Sequence, residues 1–103
     1  TKTWDDFQTV NLHAPFLMAR TMAECLPEDG EGDVINLNDF KALQPTKENF
    51  GYTMSKWGLH GLTRNLALAL APRVRVNELA LGAVMPPNAS SEEYSAASAP
   101  PAF

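Results

Sequence analysis

The stretch Tyr52-Thr53-Met54-Ser55-Lys56 opens an apolar run that continues through Leu59, Leu62, Leu66, Leu68 and Leu70. Leucines at this spacing predict a helix from Tyr52 to about Ala71, apolar around much of its circumference and buried against a sheet and a partner helix. Pro72 stops it. A tyrosine and a lysine four apart on a helix lie about 40° apart around the axis and about 6 Å along it, so their side chains can meet in one small volume. A free tyrosine, with a pKa of about 10, exchanges protons poorly near pH 7. A fixed ammonium beside it favours the phenolate; lowering that pKa by about 3 units takes about 4 kcal/mol of differential interaction. Such a pair is a general acid for neutral pH, suited to protonating an atom as a hydride arrives nearby. The spacing is equally that of an ordinary surface pair, so the flanking sequence decides.

Upstream, Asp33 to Asn38 reads as a strand in which Val34, Ile35 and Leu37 break strict alternation, as expected of a strand buried on both faces of a parallel sheet. Its carboxyl end delivers Asn38 and Asp39 to the edge where such sheets bind ligands. Phe40 to Gly51, with Pro45, is a loop that can wall a substrate pocket. Downstream, Val74 to Ala80 is a second strand interrupted by Arg75 and Asn77, and strand–helix–strand predicts a parallel, right-handed crossover. Gly58 and Gly61 permit another backbone to come close.

Before the first strand, Trp4, Phe7, Val10, Ala14, Leu17, Met18 and Cys25 recur at near-helical spacing, predicting a helix from Trp4 to about Leu26 with Thr3 as its N-cap and an acidic first turn. Pro15 should kink this helix or remove one backbone bond. Asn11 lies on its apolar side, where an amide needs partners. Pro27 to Gly32 is a turn. Beyond Met85, residues 86–103 are rich in Ser, Ala and Pro and read as a mobile segment.

Taken together, Tyr-x-x-x-Lys at Tyr52 and Lys56, the strand Val34-Ile35-Asn36-Leu37, Gly61-Leu62-Thr63-Arg64 and Arg75-Val76-Asn77 resemble the short-chain dehydrogenase/reductase family. The likeness runs from about Trp4 to Pro87. It is strongest to the pteridine-reductase-like branch, because Asp39 stands where most of the family has serine. The resemblance implies an α/β, Rossmann-like doubly wound parallel sheet, of which this chain supplies two strands and two long helices. It also implies that the chain is the central and C-terminal part of one domain, since the family's glycine-rich phosphate-binding half has no counterpart here.

By the same resemblance the catalytic residues are Asn11, Asp39, Tyr52 and Lys56. Tyr52 donates the proton, and Lys56 lowers the tyrosine pKa and binds the nicotinamide ribose. Asn11 holds a water behind the lysine, although a capped or water-bridged structural asparagine is the plainer reading. Gly82, Ala83 and Val84 meet the nicotinamide end of the cofactor, with leucine at position 81 where the family usually has proline. Asp39, Phe40 and Tyr52 face the substrate, and residues 86–103 cover it. The cofactor implied is NADP, with NAD left open. The activity implied is reduction of a dihydropteridine or a similar C=N or C=O substrate. A ketone or 3-oxoacyl reductase is the nearest alternative; an inactive half-domain serving in packing or dimerisation is the other.

Composition sets the outer bounds. A chain of 103 residues is one small domain or part of a larger one. Its 45% apolar and 19% charged residues and net charge of −4 are ordinary for a globular protein, and eight scattered basic residues make no nucleic-acid-binding face. No apolar run is long enough to span a membrane. The single cysteine, Cys25, suits a reducing cytoplasm and a role in helix packing. His13 and His60 have no cysteine or paired carboxylate at ligand spacing, which argues against a metal site. The apolar helix circumference together with Gly58 and Gly61 predicts a homodimer or homotetramer built through the two long helices.

Overall fold

The computed structural model describes residues 1–82. The segment 86–103, together with Ala83, Val84 and Met85, lies outside the described residues. Helix α1 (Lys2–Gln8), a π-helical segment (Thr9–His13) and helix α2 (Ala14–Cys25) follow one another with right-handed helical backbone at each junction, so they form one rod. Thr1, not Thr3, caps it: the Thr1 hydroxyl oxygen accepts from the Trp4 N–H at 3.1 Å. The disturbance expected from Pro15 takes the form of the π segment before it, where the Ala14 N–H bonds to the carbonyl of Thr9, five residues back. Pro15 then falls in the first turn of α2, where its missing N–H costs least.

Strands β1 (Gly32–Asp39) and β2 (Val74–Leu81) are parallel, with Gly32 opposite Val74 and Asp39 opposite Leu81. Between them runs helix α3 (Phe50–Leu70), which begins two residues earlier than the sequence suggests. The α/β strand–helix–strand unit is therefore present. Asn49 precedes α3 in the left-handed conformation (φ 61°), which asparagine tolerates better than most residues, and its carbonyl accepts the Thr53 N–H at 2.8 Å.

One core joins the rod, α3 and one face of the sheet. Ala19, Leu66, Val74 and Val76 are its buried centre, with Met22, Leu26, Val34, Leu62 and Leu70 packed around them. The expectation that β1 is buried on both faces fails among the described residues. Asn36 and Asn38 are buried, while Ile35 and Leu37, like Leu79 and Leu81 on β2, are exposed. The physical reason is that both helical elements lie on one face, leaving the other uncovered. Arg75 and Asn77, which break the apolar pattern, belong to that open side, and Arg75 donates to Asp33 there at 2.8 Å.

The two glycines expected to admit a close neighbour behave differently. A Cβ on Gly58 would meet the Leu12 side chain at 3.0 Å, so a side chain of the π segment, rather than another backbone, fills this position; at Gly61 nothing approaches within 4 Å. Cys25 is exposed at the end of α2 and does not pack into the helix contact.

Candidate active site

The parallel register brings the carboxyl ends of β1 and β2 together, so Asp39 emerges beside Leu81, whose carbonyl accepts the Phe40 N–H at 2.9 Å. The first two turns of α3 lie over this edge. Tyr52 there donates its phenolic O–H to Asp39 Oδ2 at 2.7 Å, although thirteen residues separate the two in sequence. The other oxygen, Oδ1, accepts the Lys41 N–H at 2.9 Å, which ties the carboxylate to the 3-10 turn Lys41–Leu43. Phe7 of α1 meets the Tyr52 ring edge-on, with centroids 5.6 Å apart, and walls it from behind. One helical turn on, the Lys56 ammonium lies 5.8 Å from the centre of the Tyr52 ring and donates to the Leu37 carbonyl at 3.1 Å. Tyr52 and Lys56 therefore share one corner of the molecule, as their spacing suggests, and Asp39 reaches the same corner from β1.

The electrostatics of that corner reverse one expectation. The sequence reading has Lys56 draw the Tyr52 pKa down, but in this structure it is pushed well above its ordinary value. Burial of the phenol is the largest cause, followed by its hydrogen bond to Asp39 and the charge on that carboxylate. The lysine has little counter-influence because its ammonium points to a backbone carbonyl rather than to the phenolic oxygen. Burial lowers the Lys56 pKa, and the Asp39 charge opposes that shift.

Asn11, on the π segment, reaches α3 rather than the lysine: its side-chain amide donates to Ser55 Oγ at 3.1 Å, and Ser55 Oγ donates to the Tyr52 carbonyl at 2.6 Å. The π segment matters here because it widens the helix where Asn11 faces α3, a local device frequent at functional sites. Asn11 and Lys56 also line a common cavity of about 370 Å³ that runs along Asp33–Leu37 at the free edge of β1. This cavity does not reach Tyr52 or Asp39, so the side-chain constellation, rather than the cavity, marks the site. Phe40 is exposed beside Asp39, and Gly82 is exposed just past the β2 residue that faces Asp39. Ala83 and Val84 lie outside the described residues.

Beneath the site lies a polar layer, and Asn38, expected beside Asp39 at the ligand-binding edge, is buried within it. Asn38 is 3% exposed, and its amide donates to the Lys56 carbonyl at 3.2 Å and to Glu78 Oε2 at 2.9 Å, while its oxygen accepts the Asp39 N–H at 2.8 Å. Glu78 also pairs through Oε1 with His60 Nδ1. The available signal is strand parity: Asn36, Asn38, Val74, Val76 and Glu78 fall on the helix-covered face by the period of two. Among the described residues no group of three His, Cys, Asp or Glu side chains is placed to hold a metal ion, and no helix is long and apolar enough to cross a membrane.

Known proteins share much of this chain. The family model described as short chain dehydrogenase matches residues 1–96. The 3-alpha-(or 20-beta)-hydroxysteroid dehydrogenase of Mycobacterium tuberculosis is 36% identical over 85 residues, covering 82% of this chain and 33% of that protein. The dihydromonapterin reductase of Enterobacter is 31% identical over 87 residues, covering 82% of this chain and 36% of that protein. Among solved structures, FolM alternative dihydrofolate reductase 1 from Brucella canis, complexed with NADP, superposes with a TM-score of 0.78 at 40% identity, covering 91% of this chain and 37% of that one. The chain thus spans about a third of the length of the curated relatives it matches.

Proposed function

The chain belongs to the short-chain dehydrogenase family, and on that premise we propose that the protein it forms is an NADP-dependent reductase of a dihydropteridine or a similar C=N or C=O substrate. The observation that carries the substrate class is the Asp39 carboxylate, which accepts a hydrogen bond on each oxygen, from Tyr52 and from the Lys41 N–H. An ionised carboxylate only accepts hydrogen bonds. It is suited to the amino and ring N–H groups of a pteridine and unsuited to polarising a plain carbonyl. The names of the dihydromonapterin reductase and dihydrofolate reductase relatives support the same class.

The donor set of this chain fits the nicotinamide ribose of NADP. Lys56 is a half-buried ammonium with three N–H donors, of which the structure uses one on the Leu37 carbonyl; the others suit ribose hydroxyls. Gly82, Ala83 and Val84 are proposed to meet the nicotinamide end. Bound NADPH supplies the hydride. Tyr52 supplies the proton, and for this its O–H must leave Asp39 Oδ2 and turn to the substrate. Substrate N–H groups arriving at Asp39 would replace the phenol as its donor. That exchange removes the hydrogen bond that, after burial, does most to hold the Tyr52 pKa up, and makes the phenol a better acid. Asn11 and Lys56, facing one cavity, leave room for waters that return protons behind the lysine. The apolar stripe of Met54 and Trp57 beside the open Gly61 supports assembly of two or four copies through the helices, and the free Cys25 suits a reducing cytoplasm.

Asp39→Ser in the full-length protein tests the reading. Serine restores a donor for a carbonyl and removes the acceptor for an amino group. Activity on dihydrobiopterin or dihydrofolate should fall while activity on a small ketone holds or rises. An unchanged ratio of kcat/KM for the two substrates would favour the ketone-reductase reading, which the hydroxysteroid dehydrogenase relative supports.

A further inference from the structure

Asn38, Glu78 and His60 form a chain of polar contacts that the reaction as described above does not use. Its centre is a primary amide with every polar function engaged on a different backbone or side chain. The two N–H groups of Asn38 go to the Lys56 carbonyl of α3 and the Glu78 carboxylate of β2, and its oxygen holds the Asp39 N–H of β1. The two residues it grips by their backbones are therefore the lysine and the aspartate of the site. Glu78, with 15% of its side chain exposed, is fixed from its other oxygen by His60, one turn beyond Lys56 on α3.

We propose that Asn38, clamped by Glu78 and His60, is a positioning residue for the reaction: it locks the Asp39 end of β1 to the Lys56 turn of α3. This inference rests on the site reading above. Apolar contacts between a helix and a strand tolerate slip, whereas the Asn38–Lys56 hydrogen bond, from an amide whose other two bonds fix its orientation, sets both distance and direction. Without the lock, Asp39 and Lys56 ride on separate elements. A displacement near 1 Å between reacting groups costs up to about 100-fold in rate.

The chemistry dictates the variants. Asn38→Asp keeps the shape but removes the donors, and sets a carboxylate against the Glu78 carboxylate and the Lys56 carbonyl. Glu78→Ala removes the clamp. Glu78→Gln retains it, because the glutamine oxygen can accept from Asn38 while its NH₂ donates to a neutral His60 Nδ1. In the full-length protein, kcat per folded site, with sites counted by cofactor binding, should fall about 10- to 100-fold in Asn38→Asp and Glu78→Ala. Glu78→Gln should stay within about threefold of wild type. A purely structural role would change the number of folded sites and leave kcat per site alone. Asn38→Asp and Glu78→Ala that fold and turn over within about twofold of wild type would overturn the inference. Should either fail to fold, His60→Ala carries the test, because that side chain is 35% exposed and its loss leaves the core intact. Normal kcat per site there would overturn the inference as well. Tyr52→Phe run in parallel separates the two readings: normal turnover in Tyr52→Phe defeats the proton-donor assignment, whereas loss there with normal positioning variants defeats only this inference.

Discussion

Replacing Asp39 by asparagine should lower the Tyr52 pKa, and the size of the effect follows from the contact. The phenolic oxygen sits 2.7 Å from Asp39 Oδ2. A charge at that distance is worth about 1.5 kcal/mol in a water-like dielectric and about 6 kcal/mol at an effective dielectric of 20. Tyr52 is only half-buried, so the screened end of that range applies, roughly 1.5–3 kcal/mol. The hydrogen bond changes sense too: with the oxygen of the introduced amide kept on the Lys41 N–H, its NH₂ faces the phenol and favours the phenolate. At about 1.4 kcal/mol per pKa unit, the tyrosine titration should move down by at least about one pH unit. It should not return fully to its ordinary value, because burial, the largest cause of the upward shift, remains.

The assay is ultraviolet titration of phenolate absorbance in the full-length protein, with the Tyr52→Phe curve subtracted to isolate this one group. The linkage has a definite sign. A tyrosine whose folded pKa is raised contributes stability that is complete below its unfolded pKa of about 10 and is lost as pH rises beyond it. Wild type should therefore lose stability above about pH 10 more steeply than Asp39→Asn. A wild-type Tyr52 that titrates at or below about 10 would refute the reasoning, and so would an Asp39→Asn curve superimposed on wild type.

Three further outcomes are expected. Lys56→Met should abolish turnover without lowering Tm, because burial lowers the lysine pKa, so that holding the charged form carries a cost that sets in as pH falls below the ordinary lysine value and is complete once the folded group is protonated; a Tm loss of several degrees would contradict this. Thr63→Val removes the buried acceptor of the Asn36 amide, a 3.0 Å contact, and should cost about 1–3 kcal/mol in urea unfolding, seen as a lower midpoint at unchanged slope. Gly61→Ala should stabilise the protein by up to about 1 kcal/mol through helix propensity, while Gly61→Leu should shift the sedimentation of the full-length protein toward monomer if copies meet at this open position.

Much of the architecture is legible in the sequence, for identifiable reasons. The leucine period of α3 and the short apolar runs of β1 and β2 are strong local signals, and Pro72 marks where α3 must stop. Tyr52 and Lys56 fall together because their approach is set by helix geometry alone. What local reading misses is whatever a distant element supplies. The Tyr52 pKa goes up rather than down because the nearest charge to the phenol comes from β1, and no spacing along α3 reveals it. His60 meets Trp57 edge-on within its own helix, but its hydrogen-bond partner comes from β2. The π segment escapes notice because the apolar period resumes beyond Pro15, so the sequence pattern looks uninterrupted. Two-face burial of β1 fails because it depends on a covering layer that the described residues do not contain.

The face of α3 turned to the sheet is polar at two levels, and this bears on how the site is held. Thr63 meets Asn36 in the middle of β1, and the Lys56 carbonyl meets Asn38 at its end. Apolar residues of similar size would bury without any need for partners, so stability alone gives no reason for this choice. Directed contacts do give one. Both asparagines lie on the same face of β1 and both bond to α3, one turn of helix or more apart, so α3 can neither slide along the strand nor roll about its axis without breaking a buried hydrogen bond. Tyr52 and Lys56 are carried by α3, whereas Asp39 is carried by β1. The proposed reaction, in which α3 supplies the proton and β1 orients the substrate, needs the two elements held within about 0.5 Å. The buried amides supply that constraint at the cost of a core that is intolerant of change at Asn36, Asn38 and Thr63.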